Sequence, residues 1–503
     1  MNGRDGQTEE IGRWIKEKQA EIVRDLTMLC RIRSVAETEG TEVPPYGEGC
    51  RQVLHAMLRL GADNGFAVRN YDDYVGCISY GDTSEEYQAK AIGIWAHLDV
   101  VDEGDRDVWQ YVPYEPQVRQ GYLIARGCQD NKSSAIVGLY AMRYLKEHGI
   151  SLRHGLQLYL GTCEEQGMYD LDYYISHYPA PALSLVPDSG FPVCFGERGI
   201  FNGELVSDAT VSDDILELGC NGSRALIPDT AFIRVRATEK RLEICSGLSG
   251  EYCVEEDGDT IRLTAKGIAS HTANPGAGEN ALLLLTQVLC ADGFLSEQDR
   301  KPFELLHAIN SDYSGRALDI ACEDEVSGPS IVTAAYAAIE DRRLTLQFFC
   351  RLPVSRNDFP FRERAAAAAE RYGFSLRVIK LSKANYFDPR HPAVTVLTDI
   401  YNRVMGLDTK PFVMSGGTYA SKLPRAFAFG TGGMPLSGPP KGLFLPGHGD
   451  YHQPDEAISL ERIEKAILVY ICSILGLEEL DSLYADIEGC KTEQGKEADG
   501  AAN

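Results

Sequence analysis

The chain has 503 residues, 44% hydrophobic and 24% charged, which is enough for two or three globular domains. Its formal net charge of −25 argues against a nucleic-acid partner, which needs basic surface to neutralise phosphate. No apolar span of 18 residues occurs, and the first 20 residues lack the apolar centre of a signal peptide. The 14 cysteines are scattered singly, with no CxxC pair, which favours reduced thiols. We therefore expect a soluble protein of the cytoplasm without a membrane partner.

Helices are predicted at the start of the chain, and a strand follows. The segments "IVRDLTMLCRI" and "GCRQVLHAMLRLGADNG" are amphipathic at helical spacing. The apolar run "AIGIWAH" predicts a strand that ends at His97. Beyond Asp130, a further helix is predicted to close at His148 and Gly149, a plausible C-cap. Its apolar residues recur at helical spacing: Ala135, Leu139, Met142 and Leu145.

Two more short apolar runs end in acidic residues, in "LQLYLGTCEE" and "ALSLVPDSG". Strands that alternate with helices predict an α/β fold, with a mainly parallel sheet and helices on both faces. Ligands of such sheets bind outside the carboxyl ends of the strands. Four residues that bear imidazole or carboxylate groups directly follow these runs: His97, Glu164, Glu165 and Asp188.

The residue pattern changes near residue 191. "LEICSG", "EYCVEEDGDTIRLTAKG" and "RRLTLQFFCRLP" predict antiparallel strands, and "FRERAAAAAERYG" predicts a helix. We expect an inserted α+β domain over 191–383, between the two parts of the first domain, 1–190 and 384–485. The returning chain is predicted to form a helix in "VTVLTDIYNRVMG". Residues 486–503 are small and polar, and disorder is expected there.

The candidate ligands offer only nitrogen and oxygen atoms. Two imidazoles and three carboxylates, with no thiolate, suit zinc, cobalt or manganese rather than a structural cysteine-rich zinc site. Two ions about 3.5–4 Å apart need a bridging carboxylate and can together activate one water. Asp130, between a strand and a helix start in "RGCQDNK", is the natural bridge. The set comprises His97, Asp130, Glu165, Asp188 and His452.

Two neighbouring acids complete the predicted chemistry. Asp99 lies two residues past His97, so that on a strand the two side chains face the same way, and its carboxylate could accept a hydrogen bond from the imidazole. Glu164 precedes Glu165, and adjacent side chains point apart, which leaves one of them as general base. Taken singly, each residue also has an ordinary structural interpretation as a core histidine, a helix cap or an acidic turn.

Seven motifs in this order identify a resemblance. "AHLDVVDEGD", "ARGCQDNKSS", "GTCEEQGMYD", "VPDSGFP", "ASHTANPGAGENA", "SGGTYAS" and "HQPDEAI" resemble those of the co-catalytic metallopeptidases of the carnosinase and aminoacylase clan. The PepV/Sapep-type dipeptidases are the most similar branch. The resemblance covers residues 10 to 480, nearly the whole chain. It implies a catalytic domain with an inserted lid domain, and a small peptide as substrate.

The resemblance also implies a role for each motif residue. His97 and Asp188 would hold one metal ion, and Glu165 and His452 the other. The two divalent ions, zinc or manganese (cobalt in vitro), would be bridged by Asp130. Further roles are implied for seven residues: general base and acid for Glu164, orientation of His97 for Asp99, oxyanion stabilisation for His271, carboxylate binding for Arg351, and a substrate-lining backbone for Gly416, Gly417 and Thr418.

Alternatives stay open at this point. Peptidases and N-acyl amino acid deacylases share these ligands, so either activity fits, and a non-catalytic binding protein is the third hypothesis. His448 competes with His452 as the late ligand, since "GHGDYHQPDE" contains both. Relatives commonly carry asparagine where Ala225 stands, and a basic residue where Ser421 stands, which bears on the substrate. In dimeric members of the clan a partner chain supplies the lid histidine that corresponds to His271. The larger insertion of this chain can supply that histidine itself, which favours a monomer.

Overall fold

The computed structural model describes residues 2–81, 90–223, 225–480 and Leu483. The chain divides into two compact units. The first unit comprises the chain through Gly196, Tyr386–Phe412 and the residues from Gly417 onward, and the second comprises Glu197–Asn385 and Val413–Gly416. The predicted disorder of 486–503 lies outside the described residues.

The helices and strands occur in the following order. The α-helices are α1 (Asn2–Cys30), α2 (Glu48–Asp63), α3 (Ser133–Glu147), α4 (Tyr169–His177), α5 (Glu239–Ser246), α6 (Ala281–Leu289), α7 (Glu297–Asp312), α8 (Phe361–Arg371), α9 (Pro392–Met405) and α10 (Leu460–Leu477). The strands of three or more residues are β1 (Ala67–Tyr71), β2 (Val75–Tyr80), β3 (Ile92–His97), β4 (Gln117–Arg119), β5 (Tyr122–Ile124), β6 (Leu156–Gly161), β7 (Leu183–Val186), β8 (Val193–Glu197), β9 (Gly199–Ser207), β10 (Ile215–Cys220), β11 (Thr230–Arg236), β12 (Tyr252–Asp257), β13 (Thr260–Lys266), β14 (Ile331–Glu340), β15 (Arg343–Leu352), β16 (Phe374–Ser382), β17 (Phe412–Met414), β18 (Ala426–Phe429) and β19 (Ala457–Ser459).

A sheet with a parallel centre organises the first unit. Its strand order is β1-β2-β6-β3-β7-β18-β8. The pairs β6–β3, β3–β7 and β7–β18 are parallel, and the outer pairs are antiparallel. Strands β3 and β6 are buried along their whole length, as continuous apolar runs in a parallel sheet are. The predicted α/β class with a mainly parallel sheet is confirmed.

The predicted helices of the first unit are confirmed. Helix α3 begins at Ser133 and ends where the sequence predicts, with His148 as its C-cap. Gly149 follows with φ of 62°, a left-handed conformation that glycine adopts without steric cost. Nearly every side chain of α3 is buried, because this helix packs against α1, α10 and the sheet. Among the described residues, no helix is both long enough and apolar enough to span a bilayer.

The second unit contains two antiparallel four-stranded sheets, with orders β14-β15-β9-β16 and β10-β11-β13-β12. The predicted strand β15 is confirmed: Leu344, Leu346 and Phe348 are fully buried, and Thr345 and Phe349 between and beside them are buried as well, so both faces of this strand are covered. The hairpin of β12 and β13 and the helix α8 are also confirmed. The prediction of a strand at "LEICSG" was wrong. These residues belong mostly to α5, which Thr238 caps by accepting a hydrogen bond from the N–H of Arg241.

Candidate metal centre

The predicted ligands of the first unit converge because three parallel strands end at one edge of the sheet. His97 is the last residue of β3. Glu164 and Glu165 follow β6 after a short turn, and Asp188 follows β7 by two residues. Strand β3 lies between β6 and β7 and runs parallel to both, so their carboxyl ends meet. The apolar run that ends in an imidazole therefore carries that imidazole to the place where the acids gather.

Asp130 lies between the two histidines. Its Oδ1 lies 3.0 Å from Nε2 of His97, and its Oδ2 lies 3.1 Å from Nε2 of His452. Nε2 of His452 also lies 3.2 Å from Oε1 of Glu165. Each oxygen of one carboxylate thus faces a different imidazole. This arrangement is compatible with a carboxylate that two cations share.

Asp99 contacts both the imidazole of His97 and the loop that carries Glu164 and Glu165. Nδ1 of His97 lies 3.0 Å from the carbonyl oxygen of Asp99 and 3.4 Å from its carboxylate, so that Nε2 is turned towards Asp130. The same carboxylate accepts hydrogen bonds of 3.0 Å from the N–H groups of Glu164 and Glu165. The sequence suggested the contact with the imidazole, but it gave no sign of the two contacts with the backbone.

Two groups of three side chains could each hold a cation. Among the described residues, the ligand atoms of His97, Glu164 and Asp188 lie within 4.8 Å of one another, and so do those of His97, Asp130 and Glu165. Four of these residues are predicted ligands, and Glu164 is the predicted base. His97 is almost completely buried, with 1% of its side chain exposed, whereas 48% of the His452 side chain is exposed.

Carboxylates outnumber imidazoles in this cluster. Burial and the charge of Asp130 raise the pKa of Asp188 to about 7. Burial and the charges of Asp188 and Glu165 raise the pKa of Glu164 well above its ordinary value. Hydrogen bonds with Asp130 and Glu165 raise the pKa of His452 to about 10. The shift of His452 is caused first by two neighbouring carboxylates, whereas the shifts of Asp188 and Glu164 are caused first by burial and then by neighbouring carboxylates. Divalent cations would neutralise the charge of these carboxylates. The nitrogen and oxygen donors therefore fit such ions.

The two late histidines have different surroundings. His452 has φ of 61°, an unusual left-handed conformation for a residue other than glycine, and its imidazole contacts the ligand cluster. Nδ1 of His448 instead lies 2.6 Å from Oδ2 of Asp455, a buried carboxylate that also accepts from the N–H groups of Gln110 and Tyr111. This arrangement favours His452 as the late ligand.

Two supporting residues were not assigned a role from the sequence. The side-chain amide of Asn131 donates to Asp188 Oδ1 at 3.0 Å and to the carbonyl of Pro187 at 2.8 Å. Glu456 is buried, pairs with Arg126 at 2.8 Å, and accepts from the N–H of Asp130 at 3.0 Å. Asn131 stands in the motif "QDNK" and Glu456 in the motif "HQPDE". Membership of these motifs was the only feature of the sequence that could have indicated their supporting contacts.

The remaining predicted residues lie outside this cluster. His271 and Arg351 belong to the second unit. The segment that contains Gly416, Gly417 and Thr418 spans the boundary between the units, since the second unit ends at Gly416. Thr418 is buried, and its hydroxyl accepts from the N–H of Ala420, which starts a short 3₁₀ turn.

Partly buried imidazoles and carboxylates at the carboxyl edge of a parallel sheet form the kind of site found in metal-dependent hydrolases. Residues 93–475 match peptidase family M20/M25/M40. The chain belongs to this family, and it is a metallopeptidase that acts on amide bonds. The resemblance noted in the sequence is thereby confirmed.

Individual relatives agree with this assignment. The chain is 29% identical over 479 residues to a Bacillus subtilis (strain 168) protein named "Putative dipeptidase YtjP", covering 92% of this chain and 98% of that protein. Two solved structures share the fold: the dipeptidase Dug1p from Saccharomyces cerevisiae (TM-score 0.57, 12% identity) and human carnosine dipeptidase 1 (TM-score 0.54, 13% identity). Each alignment covers 94% of this chain and 99% of the other.

Proposed function

We propose that this protein hydrolyses dipeptides with the help of two divalent metal ions. The observation that carries the proposal is the position of Asp130, whose two oxygens face His97 and His452 at 3.0 and 3.1 Å. Relatives that match nearly the full chain carry the name dipeptidase, which supports a dipeptide as substrate. In this assignment His97 and Asp188 would hold one ion, Glu165 and His452 would hold the other, and Asp130 would be shared by both.

When bound, divalent ions would lower the pKa of a water molecule. The chain supplies the proton transfer. Glu164 directly precedes the ligand Glu165, and Asp99 fixes the backbone of both residues. In this proposal the carboxylate of Glu164 accepts a proton from the attacking water and then donates it to the nitrogen of the leaving amine. Zinc and manganese both suit the nitrogen and oxygen donors.

The second unit is proposed as a lid that supplies two substrate-binding side chains. Nδ1 of His271 accepts a hydrogen bond of 3.0 Å from the N–H of Ala273, so the neutral imidazole carries its proton on Nε2. Burial and the positive charge of Arg351 lower the pKa of His271, which favours its neutral form. A neutral Nε2–H donor suits an oxyanion, and the Arg351 guanidinium suits a substrate carboxylate.

Replacing His271 by alanine is expected to lower kcat by about 10²–10³-fold, the usual cost of removing one oxyanion donor. Metal content should stay unchanged, because no proposed ligand lies in the second unit. Steady-state kinetics and metal analysis of the same preparation test both statements. Undiminished turnover at equal metal content would refute the lid role. His307, a histidine of the second unit that contacts Thr286, provides a matched His→Ala control.

The deciding experiment measures hydrolysis by metal-stripped protein that is re-supplied with zinc, manganese or cobalt. We expect hydrolysis of dipeptides to return with at least one metal, at higher rates than hydrolysis of N-acetyl or N-succinyl amino acids. Activity only on the acylated substrates would replace the proposal with a deacylase. Failure to bind metal would contradict the whole assignment.

Light scattering on the same protein tests the expected monomer, since one chain contains every residue of the proposed mechanism.

A further inference from the structure

The turn that carries Glu164 and Glu165 is held by two buried carboxylates. Asp99 accepts from the N–H groups of these two residues at 3.0 Å each. Asp170, which is fully buried in α4, accepts from the N–H groups immediately before them, at 2.6 Å from Thr162 and 3.0 Å from Cys163. Four consecutive backbone donors, 162–165, thus end on two acids. The backbone of the turn is fixed from both sides.

Asp170 is in turn bound by a tyrosine from a distant part of the chain. The hydroxyl of Tyr419 donates to Oδ2 of Asp170, the same oxygen that accepts from the turn. Both side chains are buried. Gly161 makes this approach possible, since a Cβ at this position would collide with the Tyr419 hydroxyl and with Oδ2. The ring of Tyr419 also lies edge-on to His97, with centroids 6.5 Å apart.

A second contact joins the same two segments. Lys422, three residues after Tyr419, donates to the carbonyl of Gly167 at 2.9 Å and pairs with Asp172 at 2.7 Å. The segment after Gly417 therefore contacts the turn that carries Glu164 and Glu165 on both sides, through Asp170, which binds the backbone before the two glutamates, and through Gly167 after them. Hydrogen bonds that fix a ligand-bearing turn in one position support metal affinity, because a ligand that must be ordered on binding binds more weakly.

We propose that Asp170 and Tyr419 are positioning residues for Glu164 and Glu165. This assignment rests on the proposed function, in which Glu164 moves the proton and Glu165 binds metal. The carboxylate of Glu165 lies 3.2 Å from the His452 imidazole, and it keeps this place only while the turn keeps its backbone conformation. Asp170 sets that conformation through its two N–H contacts, and the Tyr419 hydroxyl sets the orientation of Asp170.

The test compares two Tyr→Phe substitutions that each remove one buried hydroxyl. Tyr419→Phe removes the donor to Asp170. Tyr140→Phe is the matched control, because the Tyr140 hydroxyl donates to the buried Asp25 at 2.8 Å in the same unit, away from the ligand cluster. Asp170→Asn is the second variant. Oδ1 and Oδ2 of Asp170 both accept backbone N–H groups, so an amide must face at least one donor with its own NH₂ group.

Zinc affinity of metal-stripped protein, measured by competition with a chromophoric chelator, is the first readout. We expect Tyr419→Phe to weaken zinc binding about 10-fold and to lower kcat similarly with KM within twofold, and Asp170→Asn to do more. Tyr140→Phe should change neither quantity, although both Tyr→Phe variants lower the denaturation midpoint. Equal zinc affinity and kcat in Tyr419→Phe and Tyr140→Phe would overturn the assignment. If the unmodified protein bound none of zinc, manganese and cobalt, or hydrolysed no dipeptide, the proposed function itself would fail. If only the positioning role fails, the unmodified enzyme remains active.

Discussion

Glu164→Gln is expected to lower kcat by about 10²–10⁴-fold, the contribution of general acid–base catalysis, while two metal ions remain bound. Glutamine preserves the size of the side chain but cannot accept and return a proton. Its backbone N–H would still donate to Asp99, so the turn should keep its shape. The loss should therefore appear in kcat and leave KM nearly unchanged.

The same variant distinguishes a base from a ligand. The ligand atoms of Glu164, His97 and Asp188 lie close enough to hold one ion, so the geometry allows a ligand role as well. Metal analysis after dialysis separates the two roles, because removal of a ligand lowers the metal content and removal of a base does not. Glu464→Gln is the matched control, since Glu464 is also largely buried but binds Lys16 and Gln19. One ion lost in Glu164→Gln would assign Glu164 to the metal and leave the base unidentified.

The ends of the central strands could be predicted from the sequence because two signals coincide there. A continuous apolar run predicts a buried parallel strand, and imidazole or carboxylate groups that follow several such runs together indicate a site, although each of them singly also fits a structural role. His97, Glu165 and Asp188 satisfy this rule, and the structure brings all three to one edge. His452 has no such strand, and only the order of motifs identified it.

Contacts across long sequence separations could not be predicted in this way. Asp99 was expected to contact an imidazole two residues away, which strand geometry suggests. Its hydrogen bonds to the backbone of Glu164 and Glu165 join residues more than 60 positions apart. Tyr419 and Asp170 are separated by 249 positions. Nothing in the local pattern of either residue indicates the other, because the packing of β6, α4 and the 3₁₀ turn creates the contact.

The helix α5 shows how local composition misled the prediction. Leu242 and Ile244 alternate with polar residues, which is typical of a half-buried strand. Two contacts outside that window favour the helix instead. Thr238 caps its first turn, and the buried Arg241 donates to the carbonyl of Phe294 at 2.7 Å. The N-cap was visible in the sequence, whereas the contact with residue 294 was not.

Asp130→Asn is expected to have the most severe effect on metal binding, because a bridging ligand belongs to both ions. An asparagine side chain has the shape of aspartate but only one oxygen. That oxygen could bind the ion beside His97 or the ion beside His452, but not both. Affinity for both ions should fall by more than the roughly 10–100-fold that substitution of a supporting residue costs. Hydrolysis should fall to background at metal concentrations that saturate the unmodified enzyme.

Two histidine variants make this experiment specific. His452→Ala should weaken one ion and leave the other, because only Glu165 and Asp130 share its proposed site. His448→Ala should retain both ions, since the His448 imidazole is held by Asp455 at 2.6 Å. Chelator titrations of all three variants then give an ordered series: both ions weakened, one weakened, none weakened. Retention of both ions by Asp130→Asn would exclude a bridge, and loss of an ion from His448→Ala but not from His452→Ala would move the late ligand to His448.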